Sequence, residues 1–466
     1  MTNLLDTLIA TFGDSLVQQA EPRYLQEPRG RYQSAPMPLL LPRSTQEVSD
    51  IVRFCNTQKI GLIPYGGGTG LVGGQVMEGA ENTILLSLER MNAIRDIRAD
   101  ENSMTVEAGV ILERIQAAAD DIDRLFPLAL ASQGSCQIGG NLATNAGGVQ
   151  VLRYGNTRDL CLGIEAVMPD GSIFNGLKSL RKDNTGYDLR HLLIGSEGSL
   201  GIITAACLKL FPKPARKTTA MLVVQSPDAA LTLLSNLNAD MNGAVSAFEL
   251  MHRQGTDFLI EKMPQVRLPF SDIPEWSVLV EVSGGAGEGL DDRFMTSLEA
   301  AINDELVLDA LVAQSVGQAQ EFWDVRENIP EANRLIGSIS SHDISIPISR
   351  IPEFIEKTPA LIDALGDLRI NCFGHLGDGN LHYNVFPPKD GDKADYVDIR
   401  GDIKRVIHDQ THAFGGSVSA EHGIGRLKTK DLETYGDPTK LAVMQAIKAA
   451  LDPNGIMNPG AVIAKN

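Results

Sequence analysis

Residues Pro64-Tyr-Gly-Gly-Gly-Thr-Gly-Leu-Val-Gly-Gly74 follow a short apolar run, Gly61 to Tyr65, and precede a second one, Thr83 to Leu88. Within this stretch Gly68-Thr-Gly70-Leu-Val-Gly73 satisfies GxGxxG, the spacing of the dinucleotide fingerprint. That fingerprint has to open a crossover helix. Gly73 and Gly74 interrupt any helix here, and about ten residues before Thr83 cannot hold a helix and its loops. What survives is a run of glycines whose backbone N–H groups can turn inward as an anion-binding nest. A second small-residue segment, Ser135 to Gly148, contains Gly139-Gly140-Asn141 and Asn145-Ala146-Gly147-Gly148. Two such loops can grip both phosphates of one dinucleotide. The bland alternative is a pair of surface turns, which seldom carry apolar neighbours such as Leu71, Val72, Ile138 and Leu142.

Around these loops the chain reads as alternating strands and helices. Ser44-Thr-Gln-Glu47 is a capping box ahead of Val48, Ile51, Val52 and Cys55 at helical spacing. Strands are expected at Thr105 to Val110, Leu162 to Met168, Ile202 to Leu210 and Ser277 to Val282, with a helix over Leu112 to Ala119. Ser283 to Asp292 reads as a Gly/acid turn. Pro212-Lys-Pro214 marks a domain boundary, after which the glycine clusters thin out. The 466 residues suit two or three domains, and 43% hydrophobic with 21% charged residues excludes a disordered chain. A formal charge of −18 disfavours nucleic acid and anionic lipid as partners. No apolar run approaches the roughly 20 residues of a membrane span. The N-terminus lacks a basic n-region and carries Asp6 within its apolar stretch, so an amphipathic helix is expected rather than a signal peptide. Five scattered cysteines without CxxC suit a reducing cytosol, and a cytoplasmic location is expected.

The second informative stretch is Phe373-Gly-His375-Leu-Gly-Asp-Gly-Asn-Leu-His382-Tyr-Asn384. Gly377-Asp-Gly-Asn380 is a turn sequence, so the flanks should pair as a hairpin with His375 ending one strand and His382 early in the next. Alternation puts His382, Asn384 and Phe386 on one face and Leu381, Tyr383 and Val385 on the other. Two imidazoles side by side suit a transition metal, and two core histidines bonded to backbone are the competing reading. Downstream, Ser419-Ala-Glu421-His422-Gly-Ile-Gly425 sets an acid beside a histidine, and the two glycines allow both to reach one pocket. His408 and His412 are four apart on an expected helix without a third ligand and read as packing or surface residues. His191 and His252 stand alone.

Four segments in order, Pro64 to Gly74, Gln137 to Gly148, Asp183-Asn-Thr-Gly-Tyr-Asp-Leu189 and Ile194-Gly-Ser-Glu-Gly-Ser-Leu-Gly-Ile202, resemble the FAD domain of the vanillyl-alcohol-oxidase superfamily. Within it the chain is most similar to the FAD-dependent D-2-hydroxyacid dehydrogenases, the D-2-hydroxyglutarate and D-lactate group, from about Pro38 to Gly460. The resemblance implies an α+β fold. Residues 1–37 are expected to form an N-terminal helical segment and 38–214 a PCMH-type FAD-binding domain. Residues 215–424 are expected to form an FAD-linked oxidase C-terminal (substrate) domain with a mixed, largely antiparallel sheet. Residues 425–466 are expected to be a C-terminal helical segment returning to the FAD domain. It implies that Gly66, Gly67, Gly68, Thr69 and Gly70, with Gly139, Gly140, Thr144, Asn145, Gly147 and Gly148, hold the pyrophosphate and ribityl region of FAD. Glu197, Gly198 and Ile202 then lie along the cofactor, and Asn458 touches the flavin. No histidine lies in either loop and Cys136 is the one thiol there, so the FAD is expected to be non-covalent.

The same resemblance assigns His375, His382 and Glu421 to a divalent metal, usually Zn2+, and leaves His422 as the base. It places Arg326, in Trp323-Asp-Val-Arg-Glu327, on the substrate carboxylate, and Asn384 within reach of substrate. An ion pair of Arg326 with Asp324 and Glu327 on a helix surface is the alternative. The implied reaction is oxidation of a D-2-hydroxyacid, D-2-hydroxyglutarate first and D-lactate second, with electrons passing to an electron-transfer flavoprotein, cytochrome or quinone rather than NAD. An FAD subunit of a glycolate-oxidase-like complex and a zinc-stabilised binding protein are the other classes. The chain departs from the group at Ser341, where D-2-hydroxyglutarate members carry a lysine. That tilts the case toward monocarboxylates or moves recognition to a residue such as His342. Ala461 follows Gly460 where many relatives have lysine. A homodimer is compatible with the sequence, which does not specify oligomeric state.

Overall fold

The protein is described here by a computed structural model covering residues 4–79, 81–287 and 289–464. The first three residues of the expected N-terminal helix, and Glu288 of the expected Gly/acid turn, lie outside the described residues. The chain divides into two compact units. One comprises Met1–Gly147, Gly155–Lys213 and Glu421–Asn466, and the other Gly148–Tyr154 and Pro214–Ala420.

In the first unit the helix Thr45–Gln58 starts where the capping residues place it. Ser44 Oγ accepts from Glu47 N at 3.1 Å, and the Glu47 carboxylate accepts from Arg43 N at 2.6 Å. Its Val48, Ile51, Val52 and Cys55 pack with Leu62, Ile84 and Leu86 in one core. Those last three belong to a four-stranded sheet ordered Val17–Gln19, Pro38–Leu40, Thr83–Ser87, Gly61–Tyr65. Gly61–Tyr65 and Thr83–Ser87 are parallel neighbours, and the described residues between them form no helix, so the glycine stretch is a loop and not a Rossmann turn. A second, antiparallel sheet is ordered Ile94–Arg98, Ser103–Glu107, Ile202–Lys209, Cys161–Val167, Ile173–Gly176.

One expectation fails here. Ser135 to Gly148, read as a loop, contains the helix Ile138–Thr144. Ile138 and Leu142, four apart, are both fully buried, and Gly139 sits so close to Ala108 that a side chain there would overlap its Cβ. Tight packing overrides the poor helix propensity of two adjacent glycines.

The second unit is built on a seven-stranded sheet ordered Val307–Val312, Arg216–Val224, Trp276–Gly284, Val245–His252, Arg369–His375, Asn380–Phe386, Ser340–Ser345. Every neighbouring pair is antiparallel. Leu381, Tyr383 and Val385 enter one core, with Phe248 and Phe354, while Phe386 enters the other, with Phe373 and helix residues Phe322, Val325 and Ile329. The period of two expected for this strand is therefore observed. Among the described residues no helix is long and apolar enough to cross a membrane.

Candidate active site

Within the first unit both glycine segments line a cavity of about 150 Å3. Gly66 to Gly70 form one wall, Gly139, Gly140 and Thr144 another, and Glu197, Gly198, Ile202, Asn458 and His422 also face it. Gly68 has φ +73°, in the left-handed region, and a side chain on Gly67 would collide with the Ser135 carbonyl. Gln75 Nε2 donates to Gly70 O at 2.8 Å and fixes the loop from outside the glycine run. A Cβ added to Gly140 would meet no atom within 4 Å, so its bare backbone faces open space in the cavity wall. Glycine backbone on two sides suits a dinucleotide, whose phosphates need close approach of N–H groups. Cys136 also faces the cavity, and its thiol is buried, with a pKa raised by that burial.

Three residues of the expected cofactor set lie elsewhere. Asn145 caps the helix Ile138–Thr144 in the left-handed conformation and accepts from Arg158 N at 3.0 Å, and neither Gly147 nor Gly148 lines the cavity. The segment Asp183 to Leu189 also stays outside, with Tyr187 96% exposed. Asn458 lies in the wall with its amide engaged by protein. Its Nδ2 donates to Glu197 O at 2.8 Å and Gly74 O at 3.1 Å, and its Oδ1 accepts from Arg426 Nη2 at 2.7 Å.

Glu197 does more than line the wall. Its carboxylate accepts from Ile424 N at 2.7 Å and Gly425 N at 2.8 Å, which fastens the turn after His422. Burial raises its pKa, against the two backbone donors and the Lys428 and Arg426 charges that favour the ionised form. Gly423, with φ +82°, lies so close to Glu197 that a side chain there would press on its carboxylate. The turn leaves His422 Nε2 at 3.5 Å from Glu421 Oε1, so the adjacent acid and imidazole approach each other as the glycines allow. Arg426, which the sequence reading passed over, ties the first glycine loop to the tail. Its Nη1 donates to Gly73 O, Gly74 O and Val76 O, and its Nη2 to Pro459 O as well as Asn458. Nothing in its local sequence distinguishes it from a surface arginine.

The second unit gathers the other predicted side chains on one face of its sheet. Asp343 and Ser341 stand opposite His382 and Asn384 on neighbouring strands, and Phe373 stands opposite His382 on the other side. The His375 and His382 rings are 5.5 Å apart between centroids. His375 is not a core histidine on backbone. Its Nδ1 lies 2.6 Å from Glu249 Oε1, and the same carboxylate accepts from Arg326 Nε at 2.8 Å through Oε2. Arg326 is therefore no surface ion pair: it is 5% exposed, paired with a fully buried acid and stacked 4.9 Å over the Phe373 ring. Burial would raise the Glu249 carboxyl, but the His375 and Arg326 charges and hydrogen bonds outweigh it and hold the pKa at about 2. An ionised acceptor on Nδ1 keeps the N–H on that nitrogen, so the neutral imidazole carries its lone pair on Nε2, which suits His375 to a metal. Sequence reasoning missed Glu249. The signal was there, a lone acid inside the apolar run Val245 to Met251.

Two further expectations are corrected or refined. His342 does not replace a lysine toward a substrate. It points to the opposite face, buried, with Nε2 2.8 Å from Ser340 Oγ and Nδ1 3.2 Å from His408 Nε2. His408 is accordingly a packing residue, 2% exposed. Ser341 Oγ lies 2.6 Å from Ser338 Oγ.

Residues 36–176 match the family described as FAD binding domain, and residues 213–462 match FAD linked oxidases, C-terminal domain. A mitochondrial D-2-hydroxyglutarate dehydrogenase of Arabidopsis thaliana is 36% identical over 434 residues, covering 93% of this chain and 76% of that protein. A D-2-hydroxyglutarate dehydrogenase of Xanthomonas citri pv. viticola is 37% identical over 431 residues, covering 92% and 90%. A mitochondrial protein of Schizosaccharomyces pombe, provisionally named D-lactate dehydrogenase, is 36% identical over 447 residues, covering 92% and 82%. Among solved structures, p-cresol methylhydroxylase with substrate bound shares the fold at TM-score 0.78 and 16% identity, covering 99% of this chain and 96% of that one.

Proposed function

This chain belongs to the FAD-linked oxidases, in the group of FAD-dependent D-2-hydroxyacid dehydrogenases, and from that premise we propose that it oxidises D-2-hydroxyglutarate to 2-oxoglutarate. The substrate must lose its hydroxyl proton and its C2 hydride. FAD bound non-covalently in the glycine cavity supplies the hydride acceptor. His422 takes the hydroxyl proton as general base. Arg326 grips the C1 carboxylate, and Asn384 hydrogen-bonds the substrate from the same sheet face as His382. A divalent cation on His375, His382 and Glu421, with Zn2+ suiting imidazole and carboxylate donors, would polarise the hydroxyl and lower its pKa. Electrons leave the protein for an electron-transfer flavoprotein, a cytochrome or a quinone.

One observation carries this reading: an imidazole, His422, stands in the wall of the glycine cavity, on a turn held by Glu197. Support for Glu421 as third ligand comes from chain connectivity. Ala420 N donates to Asp343 O at 3.3 Å, and Asp343 is in register with His382, so the chain leaves the His382 strand's neighbour one residue before Glu421.

D-lactate is the second reading, favoured by Ser341, which puts a hydroxyl where a cation would hold a second carboxylate. Anaerobic titration of the purified chain with D-2-hydroxyglutarate, D-lactate and D-malate tests both. Flavin bleaching fastest with D-2-hydroxyglutarate is expected. Preference for D-lactate would transfer the assignment, and no bleaching by any of them would defeat it.

A further inference from the structure

We propose that Glu249 is a positioning residue that sets two functional groups at once, the metal-binding tautomer of His375 and the carboxylate-binding fork of Arg326. The proposal rests on the reading that His375 holds a cation and Arg326 a substrate carboxylate. Glu249 is fully buried between Phe248 and Leu250 in the strand Val245–His252. An acid at such a position costs more in desolvation than a leucine, and replacing a buried ion pair with apolar residues is often neutral or stabilising. Fold stability alone therefore gives weak reason for it.

Its two oxygens are divided. Oε1 takes His375 Nδ1 at 2.6 Å, and Oε2 takes Arg326 Nε at 2.8 Å. Glu249 and His375 are direct partners across the antiparallel ladder, so their Cβ atoms start adjacent and the bond needs no reach. Because a guanidinium is always charged, the carboxylate beside it is ionised and can only accept. His375 must then present its lone pair at Nε2, the arrangement in which a second carboxylate behind an imidazole strengthens metal binding. With Nε engaged and Cζ held 4.9 Å from the Phe373 ring centroid, the Arg326 guanidinium is fixed at two points, and its two Nη groups form the fork that grips a carboxylate in two bonds.

The test uses the full flavin-loaded chain. Metal is stripped with a chelator, and Zn2+ is returned against a chromophoric competitor. Glu249→Gln should weaken Zn2+ about 10–100-fold and raise KM for D-2-hydroxyglutarate more than it lowers kcat. Flavin content, set in the other unit, should not change. Glu249→Asp keeps the charge and should recover part of both losses, which a purely structural role would not require. If Glu249→Gln fails to fold, Glu249→Gln with Arg326→Met removes both charges together. That pair should bind Zn2+ about 10–100-fold more weakly than Arg326→Met alone. Wild-type Zn2+ affinity and KM in Glu249→Gln would overturn the proposal while leaving the metal reading intact. A wild-type chain that takes up no Zn2+ would overturn the metal reading itself, and the His375 half of this proposal with it.

Discussion

The glycine cavity of the first unit and the polar sheet face of the second solve different problems with different parts of the chain. The cavity is backbone: glycines that would clash if they carried side chains, with Glu197 and Arg426 holding the loops in place. The sheet face is side chain: Glu249, Arg326, His375, His382 and Asn384, most of them buried and each set by strand register or an ion pair. A cofactor that stays bound needs shape and N–H groups, which backbone provides. A substrate that enters as an anion and leaves oxidised needs charge and proton transfer, which only side chains provide.

This contrast sets where substitutions should act. The largest effect is expected at His422→Ala, which should keep flavin and yet slow anaerobic flavin reduction by about 10²–10⁴-fold. Reduction at the wild-type rate in stopped flow would remove His422 as the base. His382→Ala should next lose bound metal and activity together, with flavin content unchanged. Full activity after exhaustive chelation would show that the sheet face works without a cation. Arg426→Met acts on the other region. It removes the arginine's bonds to five carbonyl or amide acceptors, of which Gly74 O keeps Asn458 Nδ2 as a donor, and about 2–3 kcal/mol of stability should go with weaker flavin retention in thermal melts. A smaller effect is expected at Ser341→Lys, where an added cation should shift kcat/KM toward D-2-hydroxyglutarate over D-lactate by about tenfold. An unchanged ratio would place recognition of the distal group elsewhere.

The least effect is expected from thiol reagents. Burial pushes the Cys55, Cys161 and Cys372 thiols up to about 12, so their thiolate fraction at pH 8 is negligible, and all five cysteines are buried. A disulfide-exchange dye should label none of them in minutes under native conditions and all five in denaturant. Rapid labelling of Cys136 alone would show that the cavity opens to solvent.

Much of the site was legible because its signals are local. A glycine that must be glycine is marked by its own residue type, and a hairpin turn between two histidines sets their spacing and their face within a dozen residues. The helix Ile138–Thr144 was not legible, because its two glycines oppose a helix and only the contact with Ala108 and the burial of Ile138 and Leu142 decide it. The turn from Glu421 to Gly425 was read as flexible enough to bring acid and imidazole together, but what holds it, Glu197, lies 227 residues earlier than Ile424.

The sequence by itself determined that two glycine loops, a His-turn-His hairpin and a Glu-His pair exist, because each is written in contiguous residues whose backbone freedom or periodicity is intrinsic. Only the tertiary structure decided which nitrogen of His375 carries its proton and which way Arg326 faces. Those depend on Glu249, 126 residues from the histidine and 77 from the arginine. Partners so far apart in the chain meet only when strand register and helix packing bring them together, and no local pattern encodes that meeting.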